Sequence, residues 1–423
     1  MPEFLTLLPP DEARALLLSH LSEPKADSEL IDTIHALGRV TAQDILAPHP
    51  LPEFPRSTVD GYAVRARDTF GAADSLPAYL NLIGEVPMGG EPSFELNAGQ
   101  CALIHTGGML PDGAEAVVML EQTQSARPNE IEVMRAAAQG ENVIRVGEDV
   151  AQGQTVIRRG VRLRPAEIGG LMALGIVQLQ VVKNIRVGLI SSGDEVVNPN
   201  QQPRRGQVRD VNAYTLASLV TKSGGEAAMY GIVPDDMRAL KETAARALRE
   251  CDVVIITAGS SASTRDMTAE VIVSLGKPGV LVHGINTRPG KPTILGACDG
   301  KAVIGLPGNP VSALVNGYLF VAPVIEKLLG LPLDKPRPSV TARLTVNIPS
   351  QAGREDWIPV KLIPSPPSPP SSGEGRRGEV YDAEPIFGKS NLIFTLAAAD
   401  GLLRIPPSAT GVSAGEIVQV FLI

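Results

Sequence analysis

Aromatic residues are scarce, at 4% of 423 residues, so the cores have to be filled by Ala, Val, Leu and Ile. Cysteine is rarer still. Cys101, Cys251 and Cys298 are an odd set with no Cys-x-x-Cys spacing. That excludes a disulfide framework and a cysteine-based zinc site, and it points to a reduced, cytoplasmic compartment. The five histidines form no pair at metal-ligand spacing. Basic residues form no stripe, and the net charge is -8. A broad nucleic-acid footprint is thereby excluded. No uninterrupted apolar run of ~20 residues occurs, so no membrane span is expected. The opening MPEFLTLLPPDEARALLL lacks the basic region and small-residue cleavage site of a signal peptide.

Glycine (42) and proline (36), by contrast, are abundant, and they predict many turns and short elements. The length suggests two to four domains at ~100–200 residues each. Helical spacing of apolar residues predicts helices over 10–23 and 26–37. Short apolar runs between turn signals, such as YLNLIGEV, CALIHTGG and AEAVVML, predict a small all-β domain over 61–145. A further helix is expected at 165–175. The most regular block follows. Apolar strands at 185–190, 227–233, 252–258, 279–285 and 301–306 alternate with helical segments near 211–223, 236–249, 266–275 and 310–329. That alternation predicts a parallel sheet covered on both faces. After residue 331 the pattern turns to strands again, as in SVTARLTVNIP, WIPVKLIP, LLRIP and EIVQVFLI. SPPSPPSSGEGRRGE (365–379) is too rich in Pro, Ser and Gly to pack a core. The fold class expected is multidomain α/β plus β, with a central three-layer α/β domain, small β domains and a C-terminal barrel-like domain.

Three of the parallel strands end in loops of small residues: SSGDEV (191–196), AGSSASTRD (258–266) and LPGNPVS (306–312). In a parallel sheet these loops share the carboxyl edge, where ligands bind. Small residues there let backbone amides approach a phosphate. Asp194, Glu195, Asp235, Asp236 and Asp266 follow strands or start helices. As plain helix caps they need no ligand, a reading that is strong for Asp236. Carboxylates beside a phosphate-binding loop otherwise call for an intervening cation, and Mg²⁺ suits a few carboxylates plus substrate phosphates. RPGKP (288–292) places Arg288 and Lys291 on either side of a stiff turn, where both can reach one anion.

PEFPRSTVDGYAVR, HTGGMLPDGAEAVVMLEQ, GENVIRVGEDV, VGLISSGDEVV, QVRDVNAYTL, RPGKPTI and GLPGNPVSALV occur in one order. The set resembles the molybdopterin molybdenumtransferase family, the MoeA and gephyrin E-domain group, over nearly the whole chain. The resemblance implies insertion of molybdate into adenylylated molybdopterin, release of AMP, Mg²⁺ dependence and an elongated homodimer with its active site between subunits. It also implies contact with other molybdenum-cofactor biosynthesis proteins. Four domains are expected: 1–54 with 143–182, 55–142, 183–330 (molybdopterin-binding) and 331–423.

By motif match, Asp60, Thr106, Asp149, Glu195 and Ser261 would be catalytic. Gly193, Arg288, Lys291, Gly308, Asn309, Ser312 and Ser390 would bind the substrate cofactor. Asp235 and Asp266 would hold the metal. Arg288 and Lys291 would clamp molybdate or a phosphate, and Glu195 and Asp60 would serve the polar site where molybdate meets the dithiolene. The chain departs from the family pattern in having Ala258, Ser263 and Lys389 where glycines are common, Arg288 and Gly284 where lysines are common, and Pro359 where an arginine is common. Those changes bear on the grip of the pterin end and on molybdate against tungstate. Two other readings stay open: a molybdopterin adenylyltransferase-type enzyme of the same fold, and a gephyrin-like scaffold without catalysis.

Overall fold

The computed structural model describes residues 7–24, 27–258, 262–334, 336–365 and 381–423. The 365–379 segment therefore lies outside the described residues apart from Ser365. The chain divides into two compact units, residues 30–181 and residues 1–29 with 182–423.

The 30–181 unit is built on a six-stranded sheet. Its order is Ala116–Met119, Gly61–Val64, Gln100–Ile104, Ala78–Glu85, Glu130–Val133 and Thr123–Arg127. Successive residues go to opposite faces of a strand, and both faces are buried. Val64, Cys101 and Val118 join one apolar cluster, and Ala63, Ala102 and Val117 join the other. Residues 26–37 are not the helix expected. Ser28–Asp32 is a strand of alternating burial, followed by a single 3₁₀ turn over Thr33–His35. Buried Thr33 donates its hydroxyl to Ile176 O at 2.6 Å. Tertiary packing thus overrides a marginal helical pattern here. The helix Pro165–Ala173 is present as expected.

In the larger unit a six-stranded sheet has the order Gly225–Val233, Ile185–Ser192, Val253–Ala258, Lys301–Pro307, Ile294–Cys298 and Pro278–His283. Its central strand, VVIITA, is buried at every position. Each large aliphatic side chain so buried contributes roughly 1.5–3 kcal/mol. Helix Met237–Glu250 begins at Asp236, whose carboxylate accepts from Ala239 N–H at 2.8 Å, and it turns Leu240, Ala244 and Ala247 inward at i, i+4 and i+7. With Ala262–Leu275 it covers one face of the sheet. Asn212–Ser223 and the helical run from Pro310 to Leu328 cover the other. The 310–328 run is long and apolar enough to cross a membrane, but 72% of it is buried within the protein.

The sheet is mixed, not wholly parallel: Ile294–Cys298 runs against its neighbours. Asp299 and Gly300 join it to Lys301–Pro307 with φ of 51° and 82°. Such an Asp-Gly pair makes a two-residue hairpin turn whose twist matches that of the strands. The C-terminal region closes into a five-stranded barrel, Glu355–Pro364, Tyr381–Pro385, Ser339–Leu344, Ile417–Leu422, Gly401–Ile405 and back to Glu355–Pro364. Thr287–Arg288 adds in parallel to Glu355–Asp356 at its edge. The segment bearing Arg288 is thereby tied to the barrel.

Candidate active site

Two cavities open at the carboxyl edge of the mixed sheet. The larger, about 660 Å³, is lined by Arg288, Lys291, Arg354 and Lys389, by the hydroxyl residues Ser312 and Ser390, and by Trp357. Among the described residues no carboxylate lines it. Four basic side chains with no acid among them make a receptor for an anion. Arg354 is anchored from behind. Its guanidinium donates to both oxygens of fully buried Asp356, at 2.8 and 3.3 Å, and Ser350 Oγ adds a third bond at 2.9 Å. A buried carboxylate needs such partners. A second network fixes the same strand: Glu355 accepts from Trp357 Nε1 at 2.7 Å and from Arg404 at 2.6 Å.

The second cavity, about 580 Å³, is lined by Ser191, Ser192, Glu195, Arg209, Asp210, Asn212, Thr257 and Asn391. It meets the first at Asn309, which lines both. Gly308 lies on the second cavity alone. Asp210 is buried and fully bonded: Ser191 Oγ donates to it at 2.6 Å and Ala213 N–H at 3.1 Å. Both volumes fall in the range of small-molecule sites, roughly 300–1,000 Å³.

The predicted site residues distribute as follows. Arg288, Lys291, Ser312 and Ser390 come together in the basic cavity, and Glu195 and Gly308 in its neighbour, with Asn309 shared. Gly193 precedes Asp194 in the turn after Ile185–Ser192. Asp235 lies against that turn, accepting from Ser192 Oγ at 2.8 Å and donating its N–H to Asp194 Oδ1 at 3.2 Å. Asp236 is a helix cap. Asp266 is exposed on Ala262–Leu275, and Ser261 lies outside the described residues. No group of three or more His, Cys, Asp or Glu among the described residues is arranged to hold a metal. The Asp194 and Asp235 carboxylates and the Ser192 hydroxyl are oxygen donors of the kind a hard cation takes, one or two carboxylates with phosphate and water completing its shell.

Asp60 and Thr106 come together in the 30–181 unit. Asp60 leads into Gly61–Val64, and its Oδ1 accepts from Thr106 N–H at 2.7 Å and from Thr106 Oγ at 3.0 Å. These bonds hold the exposed Asp60 carboxyl below the usual carboxylate range, helped by His105 at 3.8 Å. Gly61 is required beside it, because a Cβ there would overlap the Val118 carbonyl. His105 also contacts Glu85 at 2.9 Å. Asp149 is exposed on a separate turn held by its own N–H to Leu51 O at 3.1 Å.

No cysteine is among the residues lining either cavity. All three are buried, and burial pushes the Cys101 thiol up to about 12 and Cys298 up to about 11. The residue reading missed Arg354 and Lys389. Arg354 left one sign: it stands two residues from Asp356, on the same side of an extended chain. Lys389 left none.

Comparison with known proteins bears on all of this geometry. Residues 8–175 match the MoeA N-terminal region (domain I and II), residues 188–327 the "Probable molybdopterin binding domain" family and residues 341–423 the MoeA C-terminal region (domain IV). A protein of Methanocaldococcus jannaschii named "Putative molybdopterin biosynthesis protein" is 35% identical, over 99% of this chain and 98% of its own. A molybdopterin molybdenumtransferase of Nostoc sp. is 32% identical, over 94% of this chain and 89% of its own. The crystal structure of the molybdopterin biosynthesis MoeA protein from Pyrococcus horikoshii superposes with a TM-score of 0.84 at 33% identity, covering 99% of this chain and all of that one. The chain belongs to the MoeA family, the molybdopterin molybdenumtransferases.

Proposed function

We propose that this chain inserts molybdate into adenylylated molybdopterin and releases AMP, acting as a homodimer with the four-domain division given above. The observation that carries the reading is the acid-free basic cavity joined at Asn309 to a second cavity of similar size. A substrate with an anionic oxometal or phosphate end and a nucleotide or pterin end needs two such compartments.

Arg288 and Lys291 bind the oxyanion by charge-assisted hydrogen bonds, while Ser312 and Ser390 supply neutral donors. Glu195 and Asn309 orient the substrate in the adjoining cavity. Asp235 and Asp266 would hold Mg²⁺, which when bound would neutralise pyrophosphate charge. Water attack on the phosphoanhydride splits it to AMP and the pterin phosphate, and fixed cations lower the barrier by stabilising the charge that develops. Asp60, Thr106 and Asp149 enter as residues required for the same reaction. The dithiolene sulfurs belong to the substrate, consistent with three buried, protonated thiols.

The test is to incubate the chain with adenylylated molybdopterin, Mg²⁺ and molybdate. AMP release that depends on molybdate supports the proposal. ATP-dependent adenylylation of molybdopterin in its place would point to the adenylyltransferase alternative, and neither activity to a scaffold.

A further inference from the structure

We propose that Asn316, which lines neither cavity, is the positioning residue that sets the Arg288–Lys291 clamp against the helix carrying Ser312. This rests on the reading of Arg288 and Lys291 as anion ligands. Asn316 is fully buried. Its Nδ2 donates to Ser312 O at 2.8 Å and reaches Pro289 O at 3.4 Å. One amide thus bridges two walls of the basic cavity, the 310–316 helix and the 288–292 turn. The fit is tight: a Cβ built on Gly290 would overlap the Asn316 amide nitrogen, and Gly290 has φ of 102°, where only glycine is at ease.

Two further observations set Asn316 apart from an ordinary core residue. Its Oδ1 is buried and finds no hydrogen-bond partner among the described residues. Such a group costs stability, and an aliphatic side chain would avoid that cost. The helix also changes register at the next residue, since Gly317–Val321 is a π-helical turn. Turns of that kind interrupt helices frequently at functional sites. A polar residue kept at a stability cost, beside a rewired helix and under a turn of fixed shape, serves the turn.

The experiment measures AMP release with molybdate varied, on the full chain, for Asn316→Leu and Asn316→Thr, with melting midpoints recorded. Neither variant can reach Pro289 as the amide does. The expected result is a molybdate KM raised on the order of tenfold, with kcat changed much less. The midpoint of Asn316→Leu should be unchanged or higher. Gly290→Ala should also lose less in an Asn316→Ala background than in the natural sequence. A wild-type KM in a folded Asn316→Leu or Asn316→Thr protein would overturn the inference, as would a lowered midpoint with KM unmoved. Arg288→Ala separates the two levels. If it leaves KM unchanged, the clamp reading itself fails. If it raises KM while the Asn316 variants do not, only the role of Asn316 fails.

Discussion

Arg288 and Asp60 are both exposed charged residues, yet they are held in place at different depths. Beneath the Arg288 turn lie Thr293, Asn316 and, on the paired barrel strand, Asp356, all fully buried. Asp60 has beneath it a surface threonine and a half-exposed histidine. The cation cluster is therefore fixed by packing, which resists solvent and salt. The acid is fixed by two hydrogen bonds from Thr106, one from its backbone N–H and one from its hydroxyl, and a side-chain substitution at 106 removes the second. The difference teaches where each unit is vulnerable. The larger unit should lose function through the buried supports of its cations as well as through the cations themselves, and the smaller one through its surface.

The strongest attack on this comparison removes the cations themselves. Arg288→Ala with Lys291→Ala should lower kcat/KM for AMP release by roughly 10²–10³-fold, the range for loss of a preorganised electrostatic contact, with the melting midpoint nearly unchanged. Asp60→Asn keeps the shape and the contacts of one oxygen but deletes the charge. Loss of one charge-assisted contact is worth about 1.5–3 kcal/mol, so a smaller fall, on the order of 10–10²-fold, is expected in the same assay. A larger loss from Asp60→Asn than from the double cation variant would reverse the ranking.

Stability experiments sharpen the contrast further. Asp236→Ala removes a cap and should cost about 1 kcal/mol in denaturant unfolding while leaving the rate untouched. Its neighbour Asp235, which accepts from Ser192, should affect the rate when changed to Asn. The smallest effect is a titration shift. The Asp60 carboxyl is depressed by Thr106, so its contribution to stability is present above the unfolded carboxylate range and lost as pH falls through the folded value. Thr106→Val removes the hydroxyl bond and keeps the backbone one, so NMR titration should find the Asp60 carboxyl moved part of the way up toward its ordinary value. An unmoved titration would show that the Thr106 hydroxyl adds nothing to the hold of its backbone N–H.

How much of this was legible in the sequence depends on the distance between interacting residues. The strands of the larger unit's sheet could be read because continuous apolar runs such as VVIITA have few alternatives to a doubly covered sheet. The loops SSGDEV and LPGNPVS could be placed at one edge because parallel topology leaves no choice. Ile294–Cys298 escaped because ILGAC is short and nearly featureless, although Asp299-Gly300 marked its hairpin. The strand Tyr381–Pro385 carries two acids and a proline and has no apolar run. The basic cavity could be half read: Arg288 and Lys291 flank a visible turn, while Arg354 and Lys389 join them only when the barrel closes. Asn316 sits in an apolar helical run where nothing in the local pattern marks it, because its partners Pro289 and Gly290 are 27 and 26 positions away.

The central claim is that the acid-free cavity receives the oxyanion in a molybdate-driven release of AMP. Its most direct test is AMP release from adenylylated molybdopterin by the natural chain and by Arg288→Ala with Lys291→Ala, each with and without molybdate. Stimulation by molybdate in the natural chain, lost in the double variant at unchanged melting midpoint, is the predicted result. Equal stimulation in both proteins would contradict it.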